Sequence, residues 1–244
     1  MGELIAVLSG KGGTGKTSIC AAVATALAQY GHRVLCIDCD IGLGNLDISL
    51  GVSELSALSF QDICCGSYSL TQALQHPNYP TLFFLTSPVA ADAQQVDQTL
   101  FHRMLKHARQ GFDYVLLDAP AGIDAGFRLA ARFADRVLLV AGADPAAIRD
   151  ASRAGQLLDL MEKPDVRLIV NRVSRKLVKA MSVTVDDIMD DTGLPLIGVV
   201  PEDKNVTLAA FFEEPLLRRS PRGAAAACCR IARRLCGHSV PIIL

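Results

Sequence analysis

The chain has 244 residues, half of them hydrophobic and a fifth charged, and its 24 basic side chains nearly balance 25 acidic ones. This composition excludes a disordered chain, and no apolar run approaches the roughly 20 residues that a transmembrane helix needs. Because the first ten residues lack the basic region of a signal peptide, we expect a cytoplasmic protein that forms one domain over residues 1–244.

Short β-branched runs alternate along the chain with longer helical patterns. Strands are predicted, in chain order, at 4–9, 33–38, 82–86, 114–118, 136–140, 167–171 and 196–200. Helices are predicted at 17–30, 92–110, 144–161, 182–192 and 224–236. This alternation predicts an α/β fold with a doubly wound, mostly parallel sheet flanked by helices.

The C-terminal segment is basic. Residues 215–244 contain six arginines and no acidic residue, so they carry +6 and residues 1–214 carry −7. In the last predicted helix, Arg230, Arg233 and Arg234 form one stripe, and small apolar residues form the other. We interpret residues 222–244 as a core-packing helix with a solvated basic face, followed by a short apolar tail.

Two of the eight cysteines, Cys36 and Cys39, have the spacing of redox or zinc sites. They lie at the end of a buried-strand pattern, and no second cysteine or histidine pair completes a tetrahedral metal site. We therefore interpret them as buried thiols.

The first predicted strand leads directly into a glycine-rich loop and then a helix. The loop reads Gly10-Lys11-Gly12-Gly13-Thr14-Gly15-Lys16-Thr17, which is the phosphate-binding pattern G-x-x-x-x-G-K-[ST] in its confirming context. Backbone amides of such a loop, together with the helix N-terminus, bind phosphate oxygens. Lys16 is expected to reach the β- and γ-phosphates, and the Thr17 hydroxyl to bind Mg²⁺.

Acidic residues stand at the ends of two predicted strands. Asp118 ends a buried strand at its carboxyl end, where open α/β sheets bind their ligands, and is predicted to support Mg²⁺. Asp38 and Asp40 are two residues apart on an extended segment, so both are expected to face the γ-phosphate. One of them would steady a magnesium-bound water and the other would orient the attacking water.

The second lysine of the loop, Lys11, points to a family. The loop resembles the deviant Walker A motif of the ParA/MinD ATPases, which are P-loop nucleoside triphosphatases of the SIMIBI type. Further motifs along almost the whole chain resemble the MinD branch of that family. They lie at 38–47, 118–123, 126–128, 148–151, 168–172, 181–183 and 198–203.

The resemblance implies a role for each matching residue. Lys11 would reach the phosphates of a partner copy, Asp40 would position the hydrolytic water, and Asp38 would support Mg²⁺ with Asp118 and Thr17. The other nucleotide-binding residues would be Gly10, Gly12, Gly13, Thr14, Gly15, Lys16 and Ser18 around the phosphates, Gly122 at the γ-phosphate, and Asn171, Arg172, Pro201, Glu202 and Asp203 around the adenine. The sequence also lacks the Asn/Thr-Lys-x-Asp element that GTPases use for guanine.

The resemblance also implies a function and partners. It implies a slow, partner-stimulated ATPase that uses ATP and Mg²⁺, forms a homodimer with ATP and regulates the cell-division site with protein regulators of the MinC and MinE type. The C-terminal amphipathic membrane helix of that branch is not recognised here, which leaves weak contact of the arginines with the inner face of the cell membrane open. No specific nucleic acid is expected.

Three alternatives remain open at this point. A flagellar-number regulator of the FlhG type is close kin. A ParA-like DNA-partition ATPase would bind duplex DNA through surface lysines and arginines. A metal-cluster carrier or reductase of the same fold would need Cys36 and Cys39 at its dimer face.

Overall fold

A computed structural model of the chain describes residues 1–88, 96–174 and 185–243, and within them one eight-stranded sheet. The strands are β1 Glu3–Leu8, β2 Val34–Asp38, β3 Leu74–Gln75, β4 Leu82–Leu85, β5 Tyr114–Asp118, β6 Arg136–Gly142, β7 Val166–Val173 and β8 Leu196–Pro201. Their order is β3-β4-β2-β5-β1-β6-β7-β8, and all neighbours are parallel except β3 and β4. The carboxyl ends of β1, β2, β5 and β6 therefore meet at one edge of the sheet.

Helices cover both faces of this sheet. They are α1 Lys16–Gln29, α2 Leu46–Leu50, α3 Phe60–Cys64, α4 Gln98–Gly111, α5 Ala125–Phe133, α6 Pro145–Leu160, α7 Val185–Thr192, α8 Lys204–Phe211, α9 Leu216–Arg219 and α10 Ala224–Leu235. A short 3-10 helix lies at Leu70–Gln72.

The core consists of two apolar layers, one on each face of the sheet. Phe101 of α4, Phe127 of α5 and Ile148 of α6 belong to one layer. Leu27 of α1 and Ile231 of α10 belong to the other. Full burial of such a side chain contributes about 1.5–3 kcal/mol of transfer free energy, so both layers hold the edge with the predicted site rigidly in place.

The fold class is confirmed, and each of the seven predicted strands lies within two residues of an observed one. The edge strand β3 and the helices α2, α3, α5, α8 and α9 were not predicted. The helix predicted at 92–110 is observed from Gln98 onward: the carboxylate of Asp97 accepts the Thr99 and Leu100 amides and caps α4, which begins at Gln98. Asp92 itself, the motif at 181–183 and Leu244 lie outside the described residues.

The interpretation of Cys36 and Cys39 as buried thiols is confirmed, because they are 0% and 2% exposed. Burial also raises the pKa of the Cys39 thiol well above its ordinary value. Such thiols are held in the protonated form, which disfavours metal binding.

The basic stripe on α10 is only partly solvated. Arg233 is exposed, as expected. Arg234, however, donates hydrogen bonds to the carbonyls of Ile197, Val240 and Pro241 at 2.6–2.9 Å, and Arg230 donates one to the carbonyl of Ile243. Two of the three arginines are therefore hydrogen-bonded to the C-terminal tail, and one of these also to the last strand, so the stripe does not face solvent along its whole length. Within the described part of the chain, no helix has the length and apolar character needed to cross a bilayer.

Candidate functional site

The glycine-rich loop connects the end of β1 to the start of α1. Gly15 precedes the helix with a φ of +83°, a left-handed conformation that favours glycine. A Cβ atom at Gly15 would lie 2.5 Å from the side-chain amide nitrogen Nδ2 of Asn171. A Cβ atom at Gly10 would lie 2.5 Å from the backbone carbonyl oxygen of Asp150. The loop therefore requires glycine at both positions. Gly15 is needed for its conformation and for lack of space, and Gly10 for lack of space alone.

The structure brings Lys16, Thr17 and Asp118 together. The Lys16 ammonium donates to Asp118 Oδ1 at 2.6 Å and to Thr17 Oγ1 at 3.2 Å. Both ends of the ion pair are buried, with side-chain exposures of 6% and 1%. Burial raises the pKa of Asp118, whereas Lys16 opposes that shift by stabilising the carboxylate.

Asp38 lies beside Asp118, since the two residues are register partners in β2 and β5. Its Oδ1 accepts the Asp40 amide at 2.9 Å and its Oδ2 accepts the Leu46 amide at 3.1 Å. Burial, followed by the negative charge of Asp118, raises the pKa of Asp38 to about 7. Asp40 is only half-buried, and its charge also raises the pKa of Asp118. The predicted acidic groups thus share one electrostatic environment, although their roles stay predictions.

Lys11, like Lys16, forms an ion pair with an aspartate, but it does so at the surface of the protein. Its side chain is 36% exposed, and its ammonium lies 3.3 Å from Oδ1 of Asp144, which is 58% exposed. The same oxygen of Asp144 accepts the Ala147 amide and caps α6, which has proline at its first position. The Ala147 amide and Lys11 both lower the pKa of Asp144 and keep it ionised, although partial burial opposes them.

Asn171 and Arg172 both bind the loop backbone. Asn171 is buried and donates to the Thr14 carbonyl at 2.7 Å, and Arg172 donates to the Gly13 carbonyl at 3.0 Å. Arg172 has a φ of +58°, an uncommon conformation for a residue with a side chain, and one that clusters at functional sites. These two residues therefore hold the shape of the loop, whatever their contact with a base.

The remaining predicted residues have other partners. The Gly122 amide, with a φ of +92°, donates to the Ser9 carbonyl at 3.2 Å, beside the loop. The Asp203 carboxylate accepts the amides of Asn205 and Ala224, so it caps both α8 and α10. The adenine role of residues 201–203 remains a prediction.

Two observations fit a bound nucleotide with Mg²⁺. The Thr14 hydroxyl oxygen is the one buried side-chain oxygen or nitrogen without a hydrogen-bond partner in the described ranges. The first amides of α1 have no side-chain cap, so they are available to an anion. Over those ranges no three His, Cys, Asp or Glu side chains form a metal cluster.

Two contacts of the site were missed from the sequence. Asp144 was predicted only as the first residue of a helix, and Asp150 only as part of a family motif. Both meet the loop because β6 lies next to β1 in the sheet, so that the start of α6 reaches the loop. Strand order was the signal needed to find them.

Comparisons with known proteins agree with this geometry. The family model described as the CobQ/CobB/MinD/ParA nucleotide binding domain matches residues 5–216. The septum site-determining protein MinD of Bacillus subtilis is 36% identical over 246 residues, which cover 99% of this chain and 92% of that protein.

Solved structures give the same result. The MinD chain of a MinC:MinD cell division protein complex from Aquifex aeolicus superposes with a TM-score of 0.91 at 34% identity, covering 99% of each chain. The septum site-determining protein MinD of Pyrococcus horikoshii, solved in complex with Mg-ADP, gives 0.82 at 25% identity, covering 96% of each. The chain therefore belongs to the CobQ/CobB/MinD/ParA family of nucleotide-binding proteins, in its MinD group.

Proposed function

We propose that the protein is a MinD-type Mg-ATPase switch that regulates the cell-division site. It binds ATP and Mg²⁺, forms a homodimer in that state, and returns to the monomer by slow hydrolysis that a partner stimulates. Membership of the family supports this proposal, as does the similarity to MinD chains that were solved with Mg-ADP and with MinC.

The proposed site uses residues at the carboxyl edge of the sheet. The amides of the loop and of α1 cradle the phosphates, and Lys16 neutralises their charge. Thr17 and Asp118, with Asp38 beside them, support Mg²⁺, which supplies a further positive charge to the phosphate oxygens. Asp40, half-buried at the rim, orients the attacking water.

The observation that carries the dimer is the exposure of Lys11. Lys16 is already buried beside the loop, in its ion pair with Asp118, so a second lysine is not needed there. Lys11 instead lies at the surface, and its ion pair with an exposed carboxylate has the weak net energy of surface pairs. A lysine held this loosely is free to cross to the phosphates of a second copy.

A pair of lysine variants tests this proposal. Lys11→Ala is expected to bind ATP with nearly normal affinity and to remain monomeric with ATP and Mg²⁺. Lys16→Ala, the matched control, is expected to lose ATP binding itself. Light scattering and nucleotide titration separate these outcomes, and normal ATP-dependent dimers of Lys11→Ala would refute the role in trans.

The role of Asp40 needs a different readout. Asp40→Ala is expected to hold an ATP-bound dimer, because the nucleotide still binds but water is no longer oriented for attack. Turnover measured as phosphate release falls while dimers persist. Undiminished turnover would remove Asp40 from the mechanism.

We propose a regulator of the MinC type as the partner of the dimer and a MinE-type protein as its activator. The Aquifex complex supports the first of these. The test is affinity capture of a MinC homologue with ATP, with ADP, and by Lys11→Ala. Capture that does not depend on nucleotide would contradict a switch.

We also propose that residues 1–244 act as one domain in the cytoplasm and meet the inner face of the cell membrane only peripherally. Sedimentation with anionic vesicles tests the membrane contact, in ATP and in ADP, with Lys16→Ala as the control. ATP-dependent sedimentation that is lost in Lys16→Ala supports a membrane switch, whereas dimers that do not sediment indicate that localisation depends on a partner.

A further inference from the structure

A cysteine, a histidine and an aspartate lie in line at the edge of the sheet opposite the nucleotide site. His32 lies in the turn between α1 and β2, Asp113 immediately precedes β5, and Cys236 follows the last residue of α10. The amino ends of β2 and β5 bring the first two together, and the packing of α10 on α1 brings the third. The proposed ATPase uses none of these residues.

The geometry pairs a nucleophile with a base, and Asp113, whose Oδ2 accepts the Arg33 amide at 2.8 Å, lies near the base without a hydrogen bond to it. Cys236 Sγ lies 3.3 Å from His32 Nε2, and His32 Nδ1 lies 3.9 Å from Asp113 Oδ2. The Tyr114 hydroxyl also donates to Cys236 Sγ at 3.7 Å, and its ring meets the His32 ring edge-on, with centroids 5.2 Å apart. Unprotonated His32 Nε2 can accept the thiol proton; once it carries that proton, it and the Tyr114 hydroxyl both donate to the sulfur and stabilise a thiolate.

A cleft adjoins the histidine, the aspartate and the tyrosine of this cluster. A cleft of about 700 Å³ is lined by His32, Asp113 and Tyr114 along with the N-terminal residues of the chain and Arg109. Cys236 is half-buried, so its sulfur is partly screened from bulk water but not sealed in the core. The cleft has the volume of a small-molecule site.

Opposing charges also act on the sulfur. The negative end of the α10 dipole disfavours a thiolate at Cys236, whereas protonated His32, 3.3 Å from the sulfur, favours one. The other titratable or charged groups around this cluster are Tyr30, Cys229, Glu3, Asp113 and Arg136. Burial, together with the hydrogen bond to Cys236, raises the pKa of Tyr114 well above its ordinary value, so Tyr114 remains a hydrogen-bond donor over the whole working range of pH.

We propose that Cys236 is a nucleophilic thiol, activated by His32, that forms mixed disulfides with low-molecular-weight disulfides. His32 Nε2 takes the thiol proton, and the thiolate attacks one sulfur of the incoming disulfide. A new S–S bond to Cys236 forms as the old S–S bond breaks, and the departing thiolate takes the proton back from His32. One thiol and one disulfide are consumed and one of each is produced, so no other oxidant is needed.

The experiment is the reaction of the native protein with glutathione disulfide, followed by peptide mass spectrometry at each cysteine. At pH 7, Cys236 is expected to react at least about tenfold faster than Cys65, the exposed cysteine that serves as an internal control. Cys65→Ser should leave the rapid reaction unchanged, and Cys236→Ser should abolish it.

The pH profile separates activation from a merely structural role. His32→Gln is expected to slow the reaction of Cys236 with glutathione disulfide about tenfold at pH 7. Near pH 9.5, where a free thiol ionises without a base, its rate should approach that of the wild type. Tyr114→Phe should slow it less. A rate at Cys236 no greater than at Cys65, or a profile that His32→Gln does not alter, would overturn the proposal.

Discussion

The ion pair between Lys11 and Asp144 allows a quantitative test of the proposed dimer. If Lys11 acts on a partner copy, each protomer must first break this pair. Formation of one dimer therefore costs two ion pairs. Exposed pairs contribute about 0.2–1 kcal/mol each, and two of them therefore oppose the dimer by about 0.4–2 kcal/mol. Removing the pair should strengthen the dimer by about 2- to 30-fold in Kd.

Asp144→Asn is the variant that isolates this charge. Asparagine caps a helix about as well as aspartate, so the Ala147 amide keeps its acceptor and only the charge is lost. The free energy of unfolding should fall by about 0.5–2 kcal/mol, because Lys11 and the α6 dipole both lose a partner. Asp144→Ala, the matched control, also loses the cap and should lose about 1 kcal/mol more.

Analytical ultracentrifugation with a non-hydrolysable ATP analogue and Mg²⁺ measures the dimer directly. The advantage of Asp144→Asn over wild type should shrink as salt is raised from 0.05 to about 0.5 M, since exposed charges are screened within a few ångströms there. A Kd that is unchanged or weaker in Asp144→Asn would refute the idea that Lys11 leaves its own protomer. Lys11→Ala in the same assay distinguishes a missing pair from a missing lysine.

Three further predictions concern the loop, a buried histidine and the buried ion pair. Gly15→Ala should lose about 1–2 kcal/mol more in urea unfolding than Gly31→Ala, since both have a positive φ but only the first Cβ meets another group. Burial lowers the pKa of His76, so the unfolded chain binds more protons below about pH 6.5, and stability should fall from pH 7 to pH 5, less steeply in His76→Gln. Asp118→Asn should cost about 3 kcal/mol, measured by urea unfolding without nucleotide, because it leaves the Lys16 ammonium buried and unpaired.

The sequence predicted those parts of the site that are local in the chain. The phosphate-binding loop lies between a strand and a helix that are contiguous with it, so its glycines and Lys16 were found from one motif. Asp118 followed from a buried strand that ends in an acid. In each case periodicity and spacing contain the information, because the residues concerned are neighbours in sequence.

Contacts between distant segments could not be predicted in this way. The partner of Lys11 is 133 residues away along the chain, and only the order of the strands brings it near. The short helix at Ala125–Phe133 was missed because nine residues give little periodicity, and Leu74–Gln75 because two residues give none. The tertiary partners of Arg230 and Arg234 are backbone carbonyls, which no side-chain pattern reveals.

The contacts of Arg234 have a consequence for solubility. Strand β8 is an outer strand of the sheet, and an outer strand offers its unpaired backbone groups to any other extended chain. The Arg234 guanidinium donates a hydrogen bond to the carbonyl of Ile197 on that strand. The same group donates to the carbonyls of Val240 and Pro241 in the C-terminal tail. One arginine thus helps to cover the outer strand β8 and so disfavours aggregation by pairing of this strand with another chain. This protection does not depend on the nucleotide cycle.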